Sequence, residues 1–186
     1  MSETGTAVQP RLEAAQVCPW ITLAARLILG GVLAVAGAMK VGNIPLSIQA
    51  VQAYKLHAIF TGSDAVPDAF WAFTKFAGTV LPFAEIAIGL LLVAGIFTRW
   101  AALAGSLLMV AFIFAIASVW ARGISIDCGC FGNGGEKEGA VGEYPWEILR
   151  DVGLLVCGAW AVWRPKGKFS VDSRLRAAVT VIDEDG

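Results

Sequence analysis

Two cysteines stand one glycine apart in Asp127-Cys128-Gly129-Cys130-Phe131-Gly132, directly after a long apolar segment. Three chemistries fit such a pair: a redox dithiol, half of a metal site, or a loop without chemistry. A Cys-Gly-Cys disulfide closes a smaller ring than Cys-x-x-Cys, and strained, exposed disulfides are the labile, oxidising ones. Glycine suits the middle position because it tolerates unusual backbone angles. Exchange requires a thiolate, which nearby cations favour; Lys40, Arg122 and Arg150 are placed to supply that field, and Asp127 opposes it. A metal site would need two further ligands, but Cys18 and Cys157 lie elsewhere and the chain has a single histidine, His57.

These residues must be held by something, and the composition says what. The 186-residue chain is 57% hydrophobic and only 16% charged, with a formal net charge of −1. Soluble domains run at about 45–50% apolar and about 25% charged, so a bilayer is the expected solvent. Nothing in the charge balance points to nucleic acid. The expected fold is all-α: a four-helix transmembrane bundle with an interfacial amphipathic helix between the first two spans. Residues 1–19 form a polar N-terminal segment. Residues 20–163 form the membrane domain, with spans at about 20–40, 76–97, 100–121 and 147–163. Residues 164–186 form a flexible tail. A span needs ~20 apolar residues to cross ~30 Å of hydrocarbon. The stretch from Val41 to Phe60 is too polar to cross and is expected to lie at the interface, while "TGSDAVPDAF" reads as a loop. In the fourth span only Val152–Trp163 is uncharged, so Arg150 and Asp151 must sit near the headgroups, turned toward protein.

Small residues recur at Gly30, Ala34 and Ala38, and at Ala101 and Gly105, a spacing that lets helices approach closely in lipid. Two charges fall deep inside spans. Glu85 sits roughly 13 Å below one surface and Arg26 roughly 9 Å from the other, at 1.5 Å per residue. Intramembrane charges are costly and face the bundle, so a buried Arg26–Glu85 pair is expected, with Lys40 and Arg150 as alternative partners for Glu85. The basic tail (Arg164, Lys166, Lys168, Arg174, Arg176) and Arg99 place the termini in the cytoplasm by the positive-inside rule. The cysteine loop then faces outward, where disulfides persist.

The segments "RLILGGVLAVAGAMK", "LPFAEIAIGLLLVAGIFTRWAA", "DCGCFG" and "EILRDVGLLV", in this order, resemble the DoxX-like membrane proteins, most closely the MauE branch named for methylamine utilisation. The similarity runs from about Ala25 to Trp163. It implies a four-helix protein of the bacterial plasma membrane that engages in thiol–disulfide exchange with an extracytoplasmic thioredoxin-fold partner, supporting disulfide formation in exported proteins. By position, Cys128 and Cys130 match the redox pair, and Arg26, Lys40, Glu85 and Arg150 match the family's polar positions. The chain departs from the family in "TGSDAVPDAF" and in its tail. Alternative functions are a non-catalytic membrane anchor or subunit and a quinone-interacting oxidase subunit, the latter suggested by Glu85. No metal is expected, and a quinone is the one cofactor that these readings admit.

Overall fold

The computed structural model describes residues 9–55, 67–127, 135–136 and 139–164, with side chains from Pro19 onward except those of Asp127, Glu136 and Ala140, which are described by their backbone alone. Five α-helices appear among these residues: α1 (Gln9–Val41), α2 (Ile44–Ala53), α3 (Asp68–Ala94), α4 (Thr98–Ala121) and α5 (Tyr144–Trp163). A two-residue antiparallel ladder pairs β1 (Ile126–Asp127) with β2 (Gly135–Glu136), and a single 3-10 turn (Ala140–Gly142) precedes α5. Cys128, Cys130, most of "TGSDAVPDAF" and the tail from residue 165 lie outside the described residues.

The four long helices form a ring in which each packs on two neighbours: α1 on α3, α3 on α4, α4 on α5, and α5 back on α1. Small residues set the closest of these contacts. A Cβ on Gly30 would stand 2.8 Å from the Gly89 carbonyl oxygen, and one on Gly89 would stand 2.7 Å from the Ala34 nitrogen. Gly37 meets the Pro82 carbonyl in the same way, at 2.6 Å. Ala38 is exposed. The contact stripe therefore runs Gly30, Ala34, Gly37, following the 3.6-residue turn where a strict spacing of four was expected. With no hydrophobic drive between helices in lipid, such backbone approach is what holds them together.

Three helices are long and apolar enough to cross a membrane: Pro19–Val41, Asp68–Ala94 and Thr98–Ala121. The protein is a multi-pass membrane protein. Its outer surface carries large apolar side chains such as Ile28, Val35, Leu90, Leu107, Phe114 and Val156, while the interior holds Leu29, Leu33, Leu92, Ala101, Ala102, Met109 and Leu154. An apolar exterior around an apolar interior fits a lipid solvent.

One boundary departs from expectation. α3 begins at Asp68, eight residues ahead of the predicted Phe76, because Pro67 is its N-cap and Asp68 an acid in its first turn. Proline fits where a helical N–H would have no partner, and an acid in the first turn meets the positive end of the helix dipole. α3 ends on Gly95, in the left-handed region at φ 72°. There the Gly95 and Ile96 amides donate back to the Leu91 carbonyl, closing the helix. α2 starts just past the end of α1, and Ile48 lies against Gly78 of α3.

Candidate functional site

The chain direction of the four long helices gathers the C-terminal ends of α1 and α4 with the N-terminal ends of α3 and α5. At this end the ladder pairs Ile126 with Glu136 and Asp127 with Gly135, fixing both flanks of segment 128–134, which contains the two cysteines. The ladder is fastened to α5 by Tyr144, which is buried to 1% exposure. Its hydroxyl accepts from the Ile126 amide at 2.8 Å and stands 2.8 Å and 3.0 Å from the Ile124 and Ile126 carbonyl oxygens, to which its one hydrogen can be donated. Tyr54, Ile116, Val119 and Ile126 pack round the Tyr144 ring. Arg122 fastens the same region to α2 by donating to the Tyr54 and Lys55 carbonyls, while its Nε donates to Ser118 at the end of α4.

Below the ladder lies a charged cluster. Asp151 is seven residues along α5 from Tyr144, roughly 10 Å at 1.5 Å per residue. Lys40 Nζ donates to Glu85 Oε1 at 2.6 Å, joining α1 to α3. The same ammonium stands 5.1 Å from the centre of the Phe112 ring on α4, a cation–π distance. On α5, Arg150 donates through Nε (3.0 Å) and Nη2 (2.9 Å) to Asp151 Oδ1. Lys40, Glu85, Phe112, Arg150 and Asp151 line one cavity of about 10 Å³, closed by Leu33, Met109 and Leu154. That volume is room for a single water.

Two cations and two carboxylates make the cluster neutral, which is how buried charge is tolerated. Glu85 is fully buried and Asp151 nearly so. Glu85 Oε2 and Asp151 Oδ2 have no hydrogen-bond partner among the described residues. Among those residues no three His, Cys, Asp or Glu side chains group as a metal would require.

Arg26 does not join this cluster. It is fully buried, but its Nε donates to the Leu92 carbonyl at 3.0 Å and its Nη2 to the Val93 carbonyl at 3.3 Å. The expected Arg26–Glu85 pair is therefore corrected: Lys40 meets Glu85, and Arg26 serves the carbonyls where α3 ends. Those groups carry the negative end of the helix dipole, and although the Gly95 amide also donates to the Leu92 carbonyl at 3.2 Å, a carbonyl oxygen has a second lone pair to offer the guanidinium. Cys157 is a half-buried free thiol in α5, away from the ladder.

Tyr144 was not singled out from the sequence. Its partners lie about twenty residues upstream in a loop, and no periodicity connects them. The tryptophans carry a second unexploited signal. Trp71, Trp120 and Trp146 ring the end that holds the ladder, and Trp20, Trp100 and Trp163 ring the other end, all exposed. The family described as methylamine utilisation protein MauE matches residues 18–164, which takes in all five helices but the first turns of α1. No curated protein and no solved structure matches the chain.

Proposed function

The chain belongs to the MauE family of methylamine utilisation proteins, and on that premise we propose that it exchanges disulfides through Cys128 and Cys130 with a thioredoxin-fold partner outside the cytoplasm. The observation that carries this reading is the ladder, with Asp127 paired to Gly135 on either side of the cysteine segment and Tyr144 holding its base to α5. A dithiol that must meet a partner's dithiol gains from such anchoring, because attack requires aligned sulfurs. Arg122, which donates only to backbone carbonyls and to Ser118, is the cation at this end that would favour a thiolate, since Lys40 and Arg150 are neutralised by Glu85 and Asp151.

The exchange is balanced by the two proteins alone. A partner thiolate attacks Cys128 Sγ, the Cys128–Cys130 bond breaks, and Cys130 leaves as a thiolate. The partner's second thiolate then attacks its own sulfur in the mixed disulfide, and Cys128 leaves. Two electrons pass from the partner to the pair, one disulfide is lost and one gained. The reverse sequence oxidises the pair instead.

In this reading α5 is a fourth span. The exposed Trp146 and Trp163 near its ends are roughly 25 Å apart at 1.5 Å per residue, a distance that fits two aromatic belts. Its inward Arg150–Asp151 pair explains why hydropathy alone passes it over. The basic residues of the tail put the termini in the cytoplasm of a bacterial inner membrane and the cysteine pair on the far side. Members of the family are tied by their description to methylamine utilisation, and the exported proteins of such a pathway are the natural clients.

The test is to express the full chain with Cys130→Ala, quench cells with an alkylating agent, and separate proteins without reductant. A mixed disulfide at Cys128 that reductant releases, absent from Cys128→Ser, is expected. If both cysteines of the unaltered chain stay reduced under oxidising stress in cells, the reading fails.

A further inference from the structure

At the end of the bundle opposite the ladder, a groove of about 460 Å³ opens between α4 and α5. Arg99, Leu103 and Ser106 line it from α4; Ala159, Val162 and Trp163 line it from α5. The α4 residues follow one another at intervals of four and three, so they share one helix face. From Arg99 to Ser106 the floor runs roughly 10 Å along the axis at 1.5 Å per residue. Just below the floor the helices lie close together: a Cβ on Gly158 would meet the Ser106 hydroxyl, which would have to turn aside. That hydroxyl is already engaged with the Ala102 carbonyl at 2.8 Å, which leaves the floor apolar in effect.

The rim is cationic. Arg99 is exposed, in the first turn of α4, and forms no ion pair among the described residues. The Arg164 guanidinium stands 5.8 Å from the Trp163 ring centre, adding a second positive charge beside the mouth. Trp100 and Trp163, both largely exposed, mark this level as the headgroup region. The groove's volume falls within the ~300–1,000 Å³ of small-molecule sites. Its shape is an apolar slot, open to the bilayer, with arginine at the headgroup end.

We propose that this groove binds one anionic phospholipid, its phosphate held by Arg99 and its acyl chain laid along Leu103, Ala159 and Val162. Charge complementarity selects the occupant: arginine matches phosphate in charge and in hydrogen-bond geometry, and the headgroup of a zwitterionic lipid offsets that attraction with its own cation. A quinone has an uncharged head and would leave Arg99 unanswered. The bound lipid would brace α4 against α5 at the end remote from the cysteines.

The test uses the full chain reconstituted in nanodiscs of equal phosphatidylglycerol and phosphatidylcholine, released for native mass spectrometry. One retained lipid is expected, with phosphatidylglycerol favoured about tenfold. Arg99→Gln should bring the two lipids to parity, and Ala159→Leu, which fills the slot, should abolish retention of both. Thermal unfolding of each variant in phosphatidylcholine alone checks that it folds, and Arg99→Lys should keep the preference in part. Equal retention of the two lipids by the unaltered chain, an undiminished preference in a folded Arg99→Gln protein, or a quinone as the retained molecule would each overturn the proposal.

Discussion

Lys40 Nζ and Glu85 Oε1 lie 2.6 Å apart across the α1–α3 contact, with Glu85 fully buried and the lysine side chain 13% exposed. The pair forms where backbones are already close, one turn from the approach of Gly37 to Pro82. Lys40 can reach Glu85 because lysine carries its charge on a long flexible stem. Breaking a buried pair from one side leaves an uncompensated charge, which costs about 3–5 kcal/mol. Replacing both partners with apolar groups of like volume removes that cost. Glu85→Met should therefore lower the unfolding temperature of the protein in detergent, whereas Lys40→Met/Glu85→Met should recover most of the loss. A Glu85→Met protein as stable as the unaltered chain would show that the pair is idle.

Arg26 offers a contrasting case, a buried cation that donates to two backbone carbonyls. Its guanidinium donates to Leu92 and Val93 through two different nitrogens. A lysine has one ammonium in place of that planar fork. Hydrogen bonds to charged groups are worth about 1.5–3 kcal/mol each, so Arg26→Met should destabilise strongly and Arg26→Lys by about half as much. Gly95→Ala attacks the same place from the other side. It demands a side chain at φ 72° and drives its Cβ into the Arg26 guanidinium. Both Arg26→Met and Gly95→Ala should raise amide exchange over the last turn of α3 before the rest of the bundle responds. Uniform exchange along all helices would argue against a local cap.

How far these arrangements can be read from residues alone differs case by case. The apolar runs behind α1, α3 and α4 are legible because length against bilayer thickness is a one-dimensional count. The burial of Asp151 is legible too, since a charge beside an apolar run is expected to turn toward protein. Arg26 defeats the same kind of count. Depth along the axis allowed it to meet Glu85, but depth says nothing of the direction in which a side chain leaves its helix. The clue that would have placed it is Gly95 followed closely by Thr98: a helix ending there exposes carbonyls inside the membrane, and a nearby cation is their natural partner. The start of α3 was hidden by treating Pro67 and Asp68 as loop residues when they are also a helix-start pair. Tyr144 was beyond reach, since its bonds join two segments that only the folded chain brings together.

Gly30 and Gly89 set the spacing of α1 and α3. A Cβ at either would fall within 2.8 Å of the other helix's backbone, and backbone cannot swing aside as a side-chain end can. Gly30→Val or Gly89→Val should force the helices apart, loosening the Lys40–Glu85 pair that spans the same contact. The expected result is a fall in unfolding temperature that is not additive with Glu85→Met, because both changes act on one interface. Gly31, beside which a Cβ meets nothing within 4 Å, is the control. Gly31→Ala should be neutral or slightly stabilising, as alanine is the better helix former. If Gly31→Ala and Gly89→Val were equally damaging, close packing would not be the cause.

Tyr144 ties the ladder to α5 through a single oxygen that faces three backbone groups, all on Ile124 and Ile126. Tyr144→Phe keeps the ring among Tyr54, Ile116 and Val119 but deletes that oxygen. The buried Ile126 amide is then left without its acceptor, at a cost of about 1–3 kcal/mol. The helices should persist, since their contacts are untouched, while the ladder opens more often. Hydrogen exchange at Ile126 should quicken at least tenfold, with α1 and α3 unchanged. If the proposed redox pair depends on that anchor, the same variant should alter the rate at which a small dithiol reduces oxidised Cys128 and Cys130, leaving unfolding of the bundle in place. A faster Ile126 exchange with an unaltered reduction rate would separate the ladder from the chemistry. Unaltered exchange would show that the tyrosine does not hold the ladder at all.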